Sequence, residues 1–190
     1  MADQKLGNPA VVGLAGFGTT TLLLQFHNLG MAGAGVVLWT ALFFGGLAQL
    51  VAGLKEYGSG NNFGFAAFST YGAFWMALAG IYLGIHFNIL TPSTADIGWF
   101  LVAFTVPTII YTLAACRASG AHSLLFVTLL IGFIGLDLGH LGGGAIWNLI
   151  AAIDLILCAL TALYIMAAIV LVDFGWKLPM GKGWLAPNKK

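Results

Sequence analysis

The chain has 190 residues, of which 60% are hydrophobic and 7% charged, with a net charge of +1 at pH 7 and a mean hydropathy of +0.98. A soluble domain averages about 25% charged residues, so seven Lys or Arg and six Asp or Glu cannot cover a soluble fold of this size. That balance excludes a soluble globular domain, a disordered chain and a coiled coil, and it leaves nucleic acid no electrostatic footprint; what remains is an all-α polytopic membrane protein.

Six apolar runs reach the roughly 20 residues that a bilayer-crossing helix needs. They lie near 9–26, 35–54, 64–85, 97–115, 121–139 and 145–172, and we read them as six transmembrane helices in one domain over 1–190. Span 1 opens on Asn8-Pro9, a good helix cap followed by a favoured first helical residue. Its free N–H groups make that mouth an anion site or a plain cap. Asp3 offsets Lys5, so the positive start of a signal peptide is missing and the span is read as retained. Thr19, Thr20, Thr21 and Gln25 lie within it, with His27 and Asn28 at its outer end.

In span 2, Gly45, Gln49, Gly53 and Glu56 share one helical stripe, which faces either a close neighbouring helix or an open cavity. Span 3 carries Ser69, Thr70 and Tyr71, with Gly80 and Gly84 spaced for tight helix pairing. Pro92 separates spans 3 and 4, and Arg117 and Gly120 follow span 4. Span 5 holds Thr128, Asp137 and the Gly135, Gly139, Gly143 series. Span 6 holds Asn148, Asp154, Thr161 and Tyr164, and its 28 residues exceed what a bilayer needs. Cys116 and Cys158 sit in separate apolar runs and read as small buried side chains.

Lys5 precedes span 1, Lys55 follows span 2, Arg117 follows span 4, and Lys177, Lys182, Lys189 and Lys190 follow span 6. All the positive charge therefore falls on one side, which predicts three hairpins with both termini cytoplasmic. No Lys or Arg lies inside a span, which excludes a retinal Schiff base and a voltage sensor. His27, His86, His122 and His140 all fall near span ends, and the sequence gives no matched pair for haem and no metal site. The span interiors offer hydroxyls, carboxamides and a phenol, groups that bind a small polar solute without trapping it. Bonds between helices, or back to the carbonyl four residues earlier, are the competing use of such groups. Asp154, near mid-membrane, is either a proton site or a carboxyl bonded to a neighbouring helix.

Several segments in order resemble the acetate uptake transporter family, the acetate and succinate permeases. Asn8-Pro9-Ala10-Val11-Val12-Gly13-Leu14 is similar to the family's NPAPLGL signature, departing at Val11 and Val12. Gly16-Phe17-Gly18 with Thr19-Thr20 follows, then His27-Asn28, Phe44-Gly45-Gly46 with Gln49, Ala52-Gly53 and Glu56. Gly60-Asn61, Phe63-Gly64, Ala67-Phe68, Tyr71-Gly72 and Phe74-Trp75 complete the match, while the later chain agrees only at positions such as Tyr164.

The resemblance implies a six-helix protomer in a hexamer, embedded in the cell membrane and needing no cofactor. It also implies proton-coupled or channel-like passage of acetate, and in some members succinate or other short carboxylates. A hydrophobic constriction carries over to Phe17 and Tyr71, with its Leu at Leu129 or the neighbouring Leu130. Phe17, Tyr71 and Leu129 lie 8, 7 and 8 residues into spans 1, 3 and 5. At 1.5 Å per residue each is roughly 10–12 Å deep, so the three can form a ring. The polar contacts expected along the path are Asn8, Thr19, Thr20, Asn28, Gln49, Ser69, Thr70 and Tyr164; Asp154, outside the matched signature, stays a candidate proton site or a carboxyl bonded to a neighbouring helix. A channel for urea or ammonia and a haem-bearing membrane anchor are the competing classes.

Overall fold

The structure, a computed structural model, describes residues 6–185. Those residues form six helices long and apolar enough to cross a membrane. They are α1 (Ala10–Asn28), α2 (Ala34–Gly58), α3 (Asn62–His86), α4 (Thr94–Ala118), α5 (Gly120–Gly143) and α6 (Ala145–Val172). The chain is a multi-pass, all-α membrane protein.

Several helices run a turn beyond their apolar stretch. Hydropathy marks the part that needs lipid, whereas caps set the ends. Asn61 Oδ1 accepts from Gly64 N at 3.1 Å to start α3. Ser93 and Asp96 form a reciprocal capping box at α4. Ser119 Oγ accepts from His122 N at 3.2 Å to start α5.

Two departures from α-helical winding were hidden by a uniform period. Ala41–Ala48 in the middle of α2 is π-helical, and the end of α5, Gly139–Gly143, unwinds, leaving helical geometry at Leu141 and Gly142. That last turn ends through Gly142 and Gly144 at φ +107° and +89°, values that an L side chain rarely adopts.

The helices close into a ring in the order α3, α2, α1, α6, α5, α4, with the α3–α4 seam the most sparsely packed. Glycines set the close pairs. A Cβ at Gly45 would stand 2.6 Å from Thr20 Oγ1, and one at Gly72 would stand 2.7 Å from Leu50 N. Gly135, Gly139 and Gly143 pack against Ala151, Asn148 and Trp147 of α6. The pairing expected through Gly80 and Gly84, within the protomer or between protomers, is not made with another helix of the same protomer. Gly80 faces open space and Gly84 receives Leu90 from the following loop.

After α6 the chain folds back as a strap. Leu185 N donates to Cys116 O at 2.8 Å and Ala121 N donates to Met180 O at 2.8 Å. Leu6–Asn8 share a surface groove with Lys55 and Ser59. The two ends of the described chain and the α2–α3 and α4–α5 turns therefore occupy one face, here the terminal face; the opposite one is the distal face. Lys55, Arg117, Lys177 and Lys182 belong to the terminal face, while Lys5, Lys189 and Lys190 lie outside the described residues.

Candidate functional site

The inner wall of the ring comes mainly from α1, α3 and α5, and it encloses cavities in axial series. The first, about 80 Å³, opens toward the terminal face and is lined by Leu14, Phe17, Gln49, Asn61, Phe68, Tyr71, His122, Phe126 and Leu129 among others. The second, about 30 Å³, is deeper and lined by Phe17, Thr21, Leu24, Gln25, Tyr71, Phe74, Trp75, Leu129, Phe133, Leu136 and Leu155. Phe17, Tyr71 and Leu129 line both. These three side chains, all buried, separate the two spaces. A wider cleft of about 240 Å³ follows at the distal face, lined by Asn28, Tyr82, His140 and Asn148 among others.

Packing fixes the separating residues. The Phe17 and Tyr71 rings lie 5.7 Å apart at 53°, and Tyr71 stacks on Phe133 at 6.5 Å. The Tyr71 hydroxyl is 2.9 Å from Thr108 Oγ1. Thr108 donates its own proton to Phe104 O at 2.7 Å, so the phenol is the donor between the two hydroxyls. The Tyr71 proton is thus committed to α4 and is not offered along the axis. Thr70 and Tyr111 make a second hydroxyl contact of 3.0 Å across the same seam. Side-chain bonds therefore close the ring where backbone packing is sparse.

Gln49 is fully buried and lines the terminal cavity. Among the described residues, neither its amide nitrogen nor its oxygen has a hydrogen-bond partner. It follows directly on the π-helical stretch of α2, a deviation that recurs at functional sites. The α2 stripe does both things open to it: Gly45 and Gly53 pack on Thr20 and Ser69, while Gln49 faces space. Asn61 also lines the cavity, held by donation from its Nδ2 to Glu56 Oε2 at 2.9 Å. His122 lines it too, with Nδ1 2.8 Å from Ser119 Oγ.

Other expected polar contacts stand elsewhere. Asn8 Oδ1 accepts from Ala10 N at 2.9 Å, which makes it a cap beside a separate surface groove. Thr19 is exposed on the outside of α1, because it is one residue out of phase with the inner face. Thr20 packs into Gly45 at the α1–α2 contact, and Ser69 packs into Gly53 at the α2–α3 contact. Asn28 donates to Gln25 Oε1 at 3.0 Å and lines the distal cleft. The Tyr164 hydroxyl donates to Pro179 O at 2.8 Å and so pins the strap. Asp154 lines none of the three axial spaces. Asp137 accepts from Thr105 Oγ1 at 2.7 Å.

Sequence reasoning passed over Thr21, Phe74, Trp75 and Thr108 as site residues, and read His122 only as interfacial. The available signal was helical spacing: Thr21 follows Phe17 by four residues and Trp75 follows Tyr71 by four, which places each pair on one face.

The geometry has close counterparts. The chain is 36% identical over 186 residues to the succinate-acetate/proton symporter SatP of Escherichia coli (strain K12), covering 96% of this chain and 99% of that protein. It is 36% identical over 151 residues to acetate permease A of Emericella nidulans, covering 73% of this chain and 51% of that one. The fold matches the structure of the bacterial acetate channel SatP with a TM-score of 0.89 at 35% identity, covering 93% of this chain and all of the other. Residues 1–174 match the GPR1/FUN34/yaaH family profile, so the chain belongs to the GPR1/FUN34/yaaH family of membrane proteins.

Proposed function

We propose that the protein passes acetate, and with it succinate or another short carboxylate, across the cell membrane along the axis of its own helical ring. The observation that carries this is the axial series of cavities whose junction is formed by Phe17, Tyr71 and Leu129. The relationship to proteins named as acetate permease and succinate-acetate/proton symporter supplies the substrate class.

A charge at the centre of a bilayer costs about 2.5–3.5 kcal/mol even on insertion scales. Gln49 lowers that cost on the terminal side, since its amide offers two N–H donors to a carboxylate. The apolar junction then excludes hydrated ions and solutes wider than the slot. We assign Phe17, Tyr71 and Leu129 as the constriction and Gln49 as the principal polar contact, with Asn28 as a contact at the distal mouth. Passage with a proton, as the neutral acid or as a proton–anion pair, avoids moving net charge through the junction. A channel for urea or ammonia is not favoured, because the named relatives take carboxylates.

We further propose that the terminal face, with both termini, is cytoplasmic, on the one-sided Lys and Arg, and that six protomers assemble by family resemblance. Purified protein in vesicles is expected to take up labelled acetate above empty vesicles, with uptake rising as external pH falls. Succinate is expected to compete and urea is not. Flux no greater than in empty vesicles overturns the reading.

A further inference from the structure

We infer that Asp137 and His140, neighbours on α5 at the distal cleft, form a proton-binding pair whose charge governs the entry of anions from the distal side. The nature of the solute rests on the transport reading above; the titration of the pair does not.

His140 follows Asp137 by three residues, so the two are neighbours on the helix surface, with Asp137 about 4.5 Å deeper along the axis. His140 lines the distal cleft. Its Nδ1 lies 2.8 Å from Leu136 O. A carbonyl only accepts, so Nδ1 carries the proton of the neutral ring and Nε2 is the basic nitrogen. Asp137 is held against α4, where its Oδ2 is 2.7 Å from Thr105 Oγ1. The same hydroxyl lies 3.2 Å from Leu101 O. Thr105 can donate to an ionised Asp137, or accept from a protonated one while donating to Leu101 O. The bond therefore survives either charge state, and a proton arrives or leaves without repacking. Asp137 Oδ1 is buried and meets no partner among the described residues, which a purely structural carboxyl seldom leaves unmet.

Lys55, Arg117, Lys177 and Lys182 all belong to the terminal face, so no Lys or Arg among the described residues offsets a carboxylate at this end. The other titratable groups around the pair do not offset it either. On α4, Asp96 accepts from Ser93 N and Oγ at 2.8 Å and adds negative charge at the rim, two residues before Gly98, against which His140 packs. On α3, Tyr82 lines the cleft and His86 ends the helix beside Phe87. On α1, His27 Nδ1 lies 2.9 Å from Ala32 O. On α6, Asp154 bonds to the backbone of Gly132, five residues deeper than Asp137. With His140 neutral and Asp137 ionised, the pair carries one negative charge and repels an approaching carboxylate. One proton from distal water, taken at His140 Nε2 or at Asp137, brings the pair to zero and removes that barrier. Entry of the anion then follows external acid.

Acetate uptake into vesicles with the distal face outward, at fixed acetate-anion concentration and with protein-free vesicles subtracted, tests this from two directions. The parent is expected to speed up about tenfold as external pH falls through the imidazole range, roughly pH 8 to 5. Asp137→Asn removes the repelling charge and is expected to hold the acid-side rate throughout that range. His140→Gln removes the basic nitrogen, leaves the carboxylate, and is expected to hold the alkaline-side rate. The double variant is expected to follow Asp137→Asn. Parent-like profiles in both single variants overturn the proposal, and so do equal losses in both. Imidazole ¹⁵N NMR of the detergent-solubilised full chain reads the pair without flux. The signal that His140→Gln abolishes is expected to titrate within that range, and Asp137→Asn is expected to move its midpoint by about half a pH unit or more. An unmoved midpoint overturns the pairing. If Asp137→Asn does not fold, Thr105→Val, which takes the donor from Asp137 Oδ2, is read for the same shift. A pair that titrates as expected in a protein without vesicle flux would overturn the transport reading alone.

Discussion

Phe17, Tyr71 and Leu129 are core residues by burial and constriction residues by position, and two kinds of measurement separate those roles. Leu129→Ala or Phe17→Ala as a simple core defect would cost about 2–5 kcal/mol and lower every flux in proportion. As a widened slot, either change is expected to raise the lactate-to-acetate flux ratio at matched protein level; an unchanged ratio in both variants puts the constriction elsewhere. Gln49 gives the converse case. Its buried amide has no partner among the described residues, a burden of about 1–3 kcal/mol. Gln49→Leu is therefore expected to melt at the same temperature as the parent or higher while acetate flux falls. A variant that is clearly less stable would mean that the carboxamide bonds within the protein.

At the scale of elements, the α3–α4 seam depends on side chains. The Tyr71–Thr108 bond of 2.9 Å and the Thr70–Tyr111 bond of 3.0 Å span a contact that backbone packing barely makes. Tyr71→Phe keeps the ring and removes one hydrogen bond, worth about 0.5–1.5 kcal/mol. We expect lower acetate uptake with unchanged size selectivity. Thr108→Val should reproduce it, because both break the same bond; additive losses in the double variant would show that the two hydroxyls act separately. Asp154 belongs to α6 and lies off the axial cavities. Asp154→Asn is expected to leave the pH profile of uptake unchanged, and a shifted profile would restore it as the proton site.

For the whole molecule, the terminal face gathers the strap, the start of α1 and two turns, and it carries the positive residues. With that face cytoplasmic, an impermeant thiol reagent added to intact cells is expected to label a cysteine replacing Ser93, at the distal start of α4, and to spare one replacing Lys177. Labelling at Lys177 reverses the orientation. Large apolar side chains stay exposed on the outer surfaces of α2, α4 and α6, among them Trp39, Phe43, Ile110 and Ile153. A membrane protein presents such surfaces to lipid or to further copies of itself.

The sequence by itself determined the helices, because a bilayer demands about 20 apolar residues per crossing and leaves no alternative to a helix there. It also determined the matched depth of Phe17, Tyr71 and Leu129, which is simple counting along helices that enter from one face. Facing was a different matter. Three consecutive threonines read alike in the sequence, yet Thr19 points outward, Thr20 fills the α1–α2 contact and Thr21 lines the second cavity. A helix turns about 100° per residue, and with apolar residues on all sides no amphipathic stripe announces the inner one. The π-helical stretch before Gln49 shifts the phase again. Which polar group meets solute, which meets a neighbouring glycine and which merely caps a helix was decided by the order in which the helices pack around the axis.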